Sequence, residues 1–439
     1  MTSMDVFRAR RARLLASLTA QGGGVAVIPT APERERNRGT NFPYRADSQF
    51  FYLCGFREPE AVLVLIADGS PRQFLFCRAK DEEQEVWTGY RVGPGAAAEQ
   101  FGFDSAWSID MLDRKLPELL LNQPALWTSL AVDPEWDRRI LAAIRAVRAK
   151  ARAGDAAPVS VHEASAVLDE MRLVKDETEI AIMRRAGEIS AAAHCRAMRI
   201  AHPDRFEYEI EAALLHAFRA AGSQFPAYPP IVASGPNACV LHYTDNDRRM
   251  LDGELLLIDA GCELDGYASD ITRTFPVNGR FSGPQRDLYQ LVLAANHAAR
   301  AKVCPGNDWN APHEAAVAVL TQGFIDLGLL KGEAQELIQT EAYRRFYMHR
   351  TGHWLGMDVH DAGRYKIDGQ WRPFVAGMTL TIEPGCYIRP ADDVPEAFWN
   401  IGIRIEDNAL VVPGGCEILT ESAPREIDDI EALMRDRNP

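Results

Sequence analysis

The chain is short of several features, and each shortage excludes a class of protein. It has no long apolar run: the longest clear one covers residues 61–67, far below the roughly 20 residues a membrane-spanning helix needs. Its opening stretch, MTSMDVFRARRARLLASL, is basic but holds no apolar core of signal-peptide length. Positive charge is scarce, with 48 Lys and Arg against 62 Asp and Glu and a net charge of −14. Such a surface repels a phosphate backbone, so the expectation is a soluble cytoplasmic protein with no nucleic-acid or membrane partner. The eight cysteines are scattered and form no C-x-x-C pair. They read as buried free thiols rather than disulfides or a zinc knuckle. A G-x-S-x-G elbow and a P-loop are both missing, and Gly93-Pro94-Gly95 lacks the third glycine of a nucleotide loop. His162-Glu163 and His313-Glu314 begin like zincin motifs, but neither gains a second His.

What is present is an ordinary globular composition over 439 residues, 47% hydrophobic, which is about right for two domains. Residues 1–172 read as an α/β domain and residues 173–439 as a second one. In the first, Val6, Phe7, Leu14, Leu15 and Leu18 mark an amphipathic helix. Residues 25–28, 50–53, 61–67 and 73–77 read as strands, and the charge run 33–38 as a loop. In the second, long helices are expected from Asp176, Phe206, Ser282 and Pro312. A histidine-dense loop, HRTGHWLGMDVHD, follows at residues 349–361, and strands at 378–383 and 401–406 close the chain.

The informative stretch is ELLLIDAGCELDGYASDITRTF, residues 254–275. An Asp-Gly pair between two β-rich runs predicts a hairpin. With Leu264-Asp265 at the tip, Asp259 lies opposite Asp270; with Asp265-Gly266 at the tip, Asp259 faces Thr272. Side chains alternate with period 2, so either register puts both aspartates on one face. Turn chemistry accounts for Asp265. It does not account for Asp259, which ends a run of four apolar residues where a charge is costly. Two carboxylates that close repel each other unless a cation sits between them. An internal echo strengthens this: Ile258-Asp259-Ala260-Gly261-Cys262 matches Ile382-Glu383-Pro384-Gly385-Cys386, which suggests two half-domains sharing one site.

Asp259, Asp270, His353, Glu383 and Glu406 form the candidate ligand set. Two divalent cations would neutralise four carboxylates, and oxygen donors with one nitrogen suit Mn²⁺ first, then Co²⁺, with Zn²⁺ and Fe²⁺ as alternatives. Two such ions can share a water, make it a hydroxide near neutral pH and polarise a carbonyl, which is peptide hydrolysis without a covalent intermediate. Taken alone, Glu406 reads equally well as the partner of Arg404 in a surface ion pair. His349, His353 and His360 crowd one glycine-containing loop, whereas His194, His202, His216, His297 and His313 lie in or beside helices and read as structural.

The stretches FPYRADSQFFYLCGF, RLVKDETEIAIMRRAGEIS, LLIDAGCELDGYASDITRTFPVNGRFSGPQRDLY, GHWLGMDVHD, LTIEPGCYI and GIRIEDN resemble the dinuclear pita-bread metallopeptidases. That family includes methionine aminopeptidases, prolidases and Xaa-Pro aminopeptidases, and the likeness is greatest to bacterial Xaa-Pro aminopeptidases. The resemblance implies an α/β (α+β) protein with a creatinase-like N-terminal α/β domain and a C-terminal pita-bread catalytic domain. It implies that Asp259 binds one metal, Asp270 and Glu406 bridge, and His353 and Glu383 complete the shells. Glu383 would also take a proton from the attacking water, and His242 and His360 would steady the substrate and the tetrahedral intermediate. His349, Tyr387 and Arg404 would line the places where proline and the residues after it sit. The implied reaction is release of the N-terminal residue from X-Pro peptides by a homodimer or homotetramer. A prolidase restricted to X-Pro dipeptides and a non-catalytic binding protein on the same fold are the rivals. One departure is visible: Arg350 follows the first histidine of the loop, where the family places a small residue. Its cation would either alter leaving-side specificity or point to solvent.

Overall fold

The computed structural model describes residues 2–436. Its contacts divide the chain into two units, one ending at Met171 and the other beginning at Arg172. In the first, a helix over Met4–Ala20 buries Phe7, Leu14, Leu15 and Leu18. It accompanies a six-stranded mixed sheet in the order Ser105–Ser108, Arg72–Cys77, Val62–Ala67, Gly24–Pro29, Ala125–Trp127, Ser160–His162. The central strand Val62–Ala67 is buried at every position, as a continuous apolar run requires.

Two expectations for this unit are corrected. Residues 50–53 are not a strand but part of a helix, Ser48–Cys54. A short run that is apolar on all sides reads the same as strand or buried helix by periodicity. The caps decide: Asp47 accepts from the Phe50 amide at 2.9 Å and Gly55 closes the helix in the left-handed region. The charge run 33–38 is not plain loop either, since Glu35–Asn37 pairs with Thr40–Asn41 in an exposed hairpin.

The second unit is built of two halves with one connectivity. The first half opens with helices α1 (Glu177–Ile200) and α2 (Glu207–Ala220), followed by strands β1 (Leu255–Asp259), β2 (Cys262–Leu264), β3 (Tyr267–Ala268) and β4 (Thr272–Pro276). The second opens with α3 (Gly283–Arg300) and α4 (Ala311–Asp326) and continues through β5 (Thr379–Ile382), β6 (Gly385–Ile388), β7 (Ile401–Arg404) and β8 (Asp407–Val412). In the first half β1 pairs with β4 and β2 with β3; in the second, β5 pairs with β8 and β6 with β7, all antiparallel. Capping boxes start α1 at Asp176 with Glu179 and α3 at Ser282 with Gln285. The core of this unit runs between helices and sheets and includes Phe218, Leu256, Phe275, Tyr289, Ile382 and Ile403.

The hairpin register is now decided. Leu264 faces Tyr267, Glu263 faces Ala268 and Asp259 faces Thr272, so Asp265-Gly266 is the tip. Both tip residues have positive φ, 49° and 84°, as a two-residue primed turn demands.

Candidate metal centre

The shared connectivity explains where the carboxylates fall. Each half contains two strand-to-strand switches, and each switch carries one acid. Asp259 ends β1 at its switch to β2, and Asp270 stands between β3 and β4, Glu383 between β5 and β6, and Glu406 between β7 and β8. A strand that leaves one sheet for another must bend sharply, and Gly261 shows the constraint: a Cβ there would lie 1.7 Å from the Ser269 carbonyl. The halves are stitched together between Thr272 and Glu406. The Glu406 amide donates to the Thr272 carbonyl at 3.0 Å, and the Thr272 hydroxyl donates to Glu406 Oε2 at 2.7 Å. Glu406 is 2% exposed, which removes the surface ion-pair reading.

Burial makes four acids in one place expensive, and few cations face them. The Arg404 guanidinium donates to Asp259 Oδ2 at 2.6 Å, to the Tyr387 phenol at 2.9 Å and to the Thr272 hydroxyl at 3.0 Å. His353 Nε2 lies 3.4 Å from Asp270 Oδ2 and 3.6 Å from Glu383 Oε1. Its Nδ1 is within 2.9 Å of the Trp354 carbonyl, which can only accept. The Nδ1 proton is therefore fixed, and Nε2 is turned to the carboxylates as a ligand nitrogen would be. Donor atoms of Asp270, His353 and Glu406 all lie within 4.8 Å of one another.

The protonation pattern follows from the crowding. Burial, then the charges of Asp270 and Asp259, push Glu383 up to about 7 against the pull of His353 and Arg404. Burial and the same acids push Glu406 well above the carboxylate range, and burial raises Asp259 too. Burial also acts to raise Asp270, but hydrogen bonds from His353 and Tyr228 outweigh it and hold it low. For His353 burial works against the cation, and the Asp270 bond with the Glu383 and Asp270 charges overcomes it, giving about 9. A cluster that holds protons this readily fits the donor set that divalent cations complete, with Asp270, His353 and Glu406 placed to share an ion.

The remaining expected residues gather here too. His349 Nε2 is 2.8 Å from the Tyr387 hydroxyl, and its Nδ1 is 3.8 Å from Glu383 Oε2. The chain His349–Tyr387–Arg404–Asp259 is thus continuous. The His360 ring meets His353 edge-on, with centroids 4.3 Å apart. His242 is exposed on the loop after Gly235–Cys239. That loop is held by buried Glu207, which accepts from the Ser234 amide at 2.7 Å and the Tyr243 phenol at 2.7 Å. Arg350 turns away from the carboxylates: its guanidinium donates to Asn310 Oδ1 at 2.6 Å and stacks 5.0 Å from the Trp371 ring.

Sequence reasoning missed Tyr228, whose hydroxyl lies 2.5 Å from an oxygen of Asp259 and of Asp270. Nothing in FPAYPP signals it, because the contact spans 31 and 42 residues. It also missed Asn408, which accepts from the Asp270 amide at 3.0 Å, and the buried pair of Arg273 with Asp407 at 2.6 Å. Asp407 and Asn408 follow Glu406 directly in GIRIEDN, and Arg273 lies three residues after Asp270, so proximity to a candidate ligand was the available signal.

Residues 181–413 match the model of Metallopeptidase family M24, and residues 7–127 match that of the Aminopeptidase P N-terminal domain. The chain is 44% identical over 431 residues to a Haemophilus influenzae protein named Xaa-Pro aminopeptidase, covering 98% of this chain and 97% of that one. Its fold matches the structure of Pseudomonas aeruginosa aminopeptidase PepP with a TM-score of 0.97 at 47% identity, covering 99% of each chain. It also matches Zn-substituted Escherichia coli aminopeptidase P in complex with product, with a TM-score of 0.96 at 42% identity, covering 100% of this chain and 99% of that one. With an α/β N-terminal domain and a pita-bread C-terminal domain, this chain belongs to metallopeptidase family M24.

Proposed function

We propose that this protein is a metal-dependent Xaa-Pro aminopeptidase that releases the N-terminal residue from peptides with proline in second position. The single observation that carries the reading is the convergence of four carboxylates, two buried and two half-buried, and the His353 imidazole at the switches of two half-domains of like connectivity. The full-length likeness to proteins named Xaa-Pro aminopeptidase supports it and disfavours the dipeptide-only prolidase. Asp259, Asp270, His353, Glu383 and Glu406 would hold two divalent ions, with Mn²⁺ the first choice for an oxygen-rich set with one nitrogen. Bound there, the ions supply Lewis acidity to the scissile carbonyl and lower the pKa of water.

The protein residues do the rest. The X-Pro bond is a tertiary amide with no N–H, so a site that grips that proton fails on it. Glu383 would accept a proton from the attacking water and return one to the proline nitrogen as the C–N bond breaks. His242 and His360, on the open side, steady the substrate carbonyl and the tetrahedral intermediate. Tyr387, buried and held by Arg404 and His349, shapes the wall against which the proline ring lies.

A homodimer or homotetramer is the assembly we favour. The helix Glu82–Thr88 buries none of its residues and leaves Val86, Trp87 and the following Tyr90 at least 80% exposed, an apolar patch of the kind that marks contact surfaces. No helix among the described residues is long and apolar enough to cross a membrane.

Hydrolysis of Ala-Pro and Ala-Pro-Ala, measured after chelation and then with added Mn²⁺, tests the function. Tripeptide cleavage restored by metal is the expected result. Cleavage of the dipeptide alone would make the enzyme a prolidase, and cleavage of neither would leave a binding protein.

A further inference from the structure

The loop that carries His353 and His360 has no regular secondary structure over most of its length, yet it must hold two imidazoles edge-to-face. Its anchor is a buried ion cluster. Asp361, the residue after His360, is buried, and its Oδ1 accepts from Arg172 at 2.6 Å while its Oδ2 accepts from Lys175 at 2.8 Å. Arg172 also donates to Asp358 at 2.7 Å. All three central groups have side chains at most 3% exposed. Both cations come from the first four residues of the second unit, far away in sequence. That segment is itself pinned: the Lys175 amide donates to the Gly377 carbonyl at 2.9 Å, and Val174 bridges to Met378 at the foot of β5.

The link to the metal centre passes through one carbonyl. The Asp361 amide donates to the Trp354 carbonyl at 2.9 Å, and the His353 Nδ1 donates to that same oxygen at 2.9 Å. Moving Asp361 therefore moves the acceptor that fixes the His353 tautomer, and moves His360 with it. Gly356 has the Asp361 carboxylate packed directly on its Cα, where a Cβ would fall 2.2 Å from Oδ2, so the loop closes around this anion.

We infer that Arg172, Lys175 and Asp361 are positioning residues, which set the His353–His360 loop for catalysis through the shared Trp354 carbonyl. This rests on the aminopeptidase reading for its catalytic readout but not for its metal readout. The burial is costly, and an apolar filling of similar volume is often at least as stabilising as a buried ion pair, so fold stability alone does not account for it.

The test uses the full chain with Asp361→Asn, which keeps the shape and removes the charge. Folding is checked by circular dichroism, metal affinity by competition of Mn²⁺ against a chelating dye, and turnover on Ala-Pro-Ala at saturating Mn²⁺. The expected result is metal affinity about 10-fold weaker and kcat lower by roughly 10- to 100-fold at full metal occupancy, with KM within about threefold. Lys175→Met covers the case in which Asp361→Asn does not fold, because Asp361 keeps Arg172; a kcat loss of about 3- to 10-fold is expected. Lys175→Arg, which restores the charge, should bring most of that back. A folded variant with wild-type metal affinity, or one whose kcat returns to the wild-type value once metal is saturating, overturns the inference. If the wild-type protein fails to cleave X-Pro peptides, the functional reading falls while the metal-affinity comparison still decides the positioning role.

Discussion

Arg404 donates from one guanidinium nitrogen to Asp259 at 2.6 Å and from another to the Tyr387 hydroxyl at 2.9 Å. One side chain thereby joins a candidate metal ligand to the tyrosine proposed to line the proline site. Its planar fork makes both contacts at once, which a lysine ammonium cannot reproduce. Arg404→Lys is expected to lower kcat/KM on Ala-Pro-Ala by about 100-fold, with most of the loss in kcat and bound metal retained. Steady-state kinetics beside elemental analysis checks this; a loss of less than about threefold would contradict it.

Glu383 combines a place among the candidate ligands with a proposed part in proton transfer. Glu383→Ala should abolish measurable turnover and weaken one of two bound metals. Glu383→Gln, which keeps the shape, should bind substrate with KM within about threefold of wild type while kcat falls by on the order of 100-fold or more. Retention of wild-type kcat in either variant would remove Glu383 from the proton-transfer role.

Metal removal should reshape the dependence of stability on pH. Glu383 is raised from 4.5 to about 7 and His353 from 6.5 to about 9 in the metal-free fold. A raised native pKa means that the folded state binds protons more tightly, so the associated stability is full below the unfolded pKa and lost as pH rises through the folded one. Both groups thus weaken the metal-free protein as pH climbs from about 4.5 to 9, whereas metal binding needs the deprotonated ligands and strengthens over the same range. Calorimetry of chelated and Mn²⁺-loaded protein between pH 5.5 and 8.5 should show a Tm gap that widens with pH. A constant or narrowing gap would refute this account.

The switch between β1 and β2 leaves no room for a side chain at residue 261. Gly261→Ala would drive a methyl into the Ser269 carbonyl, one residue before Asp270. We expect a destabilisation of about 3 kcal/mol, the upper end for overpacking against backbone, together with loss of metal binding. Gly283→Ala, where nothing lies within 4 Å of the added carbon, is the control and should keep both. Denaturant unfolding and metal titration of the two variants separate the outcomes.

Part of this molecule is determined by local sequence. The capping residues Asp176 and Ser282, the alternating runs around Asp265-Gly266 and the repeated carboxylate-x-Gly-Cys pattern specify helix starts, a hairpin and two like halves. Each depends on neighbours within a few residues, where hydrogen-bond geometry and side-chain alternation act directly. Local pattern failed at residues 50–53, where an all-apolar run fits helix and strand equally and only the caps discriminate. It left two hairpin registers open, and the structure selected the one in which Asp259 faces Thr272. The rest belongs to the tertiary fold alone. Tyr228 reaches Asp259 and Asp270, Thr272 reaches Glu406, and Arg172 reaches Asp361 across separations of 31 to 189 residues. Such contacts exist only once distant segments have packed, within one half for Tyr228 and between halves for Thr272 and Glu406, and burial there is also what moves the protons of Glu383 and His353. The sequence by itself names the acids and the imidazole; burial and juxtaposition make them one site.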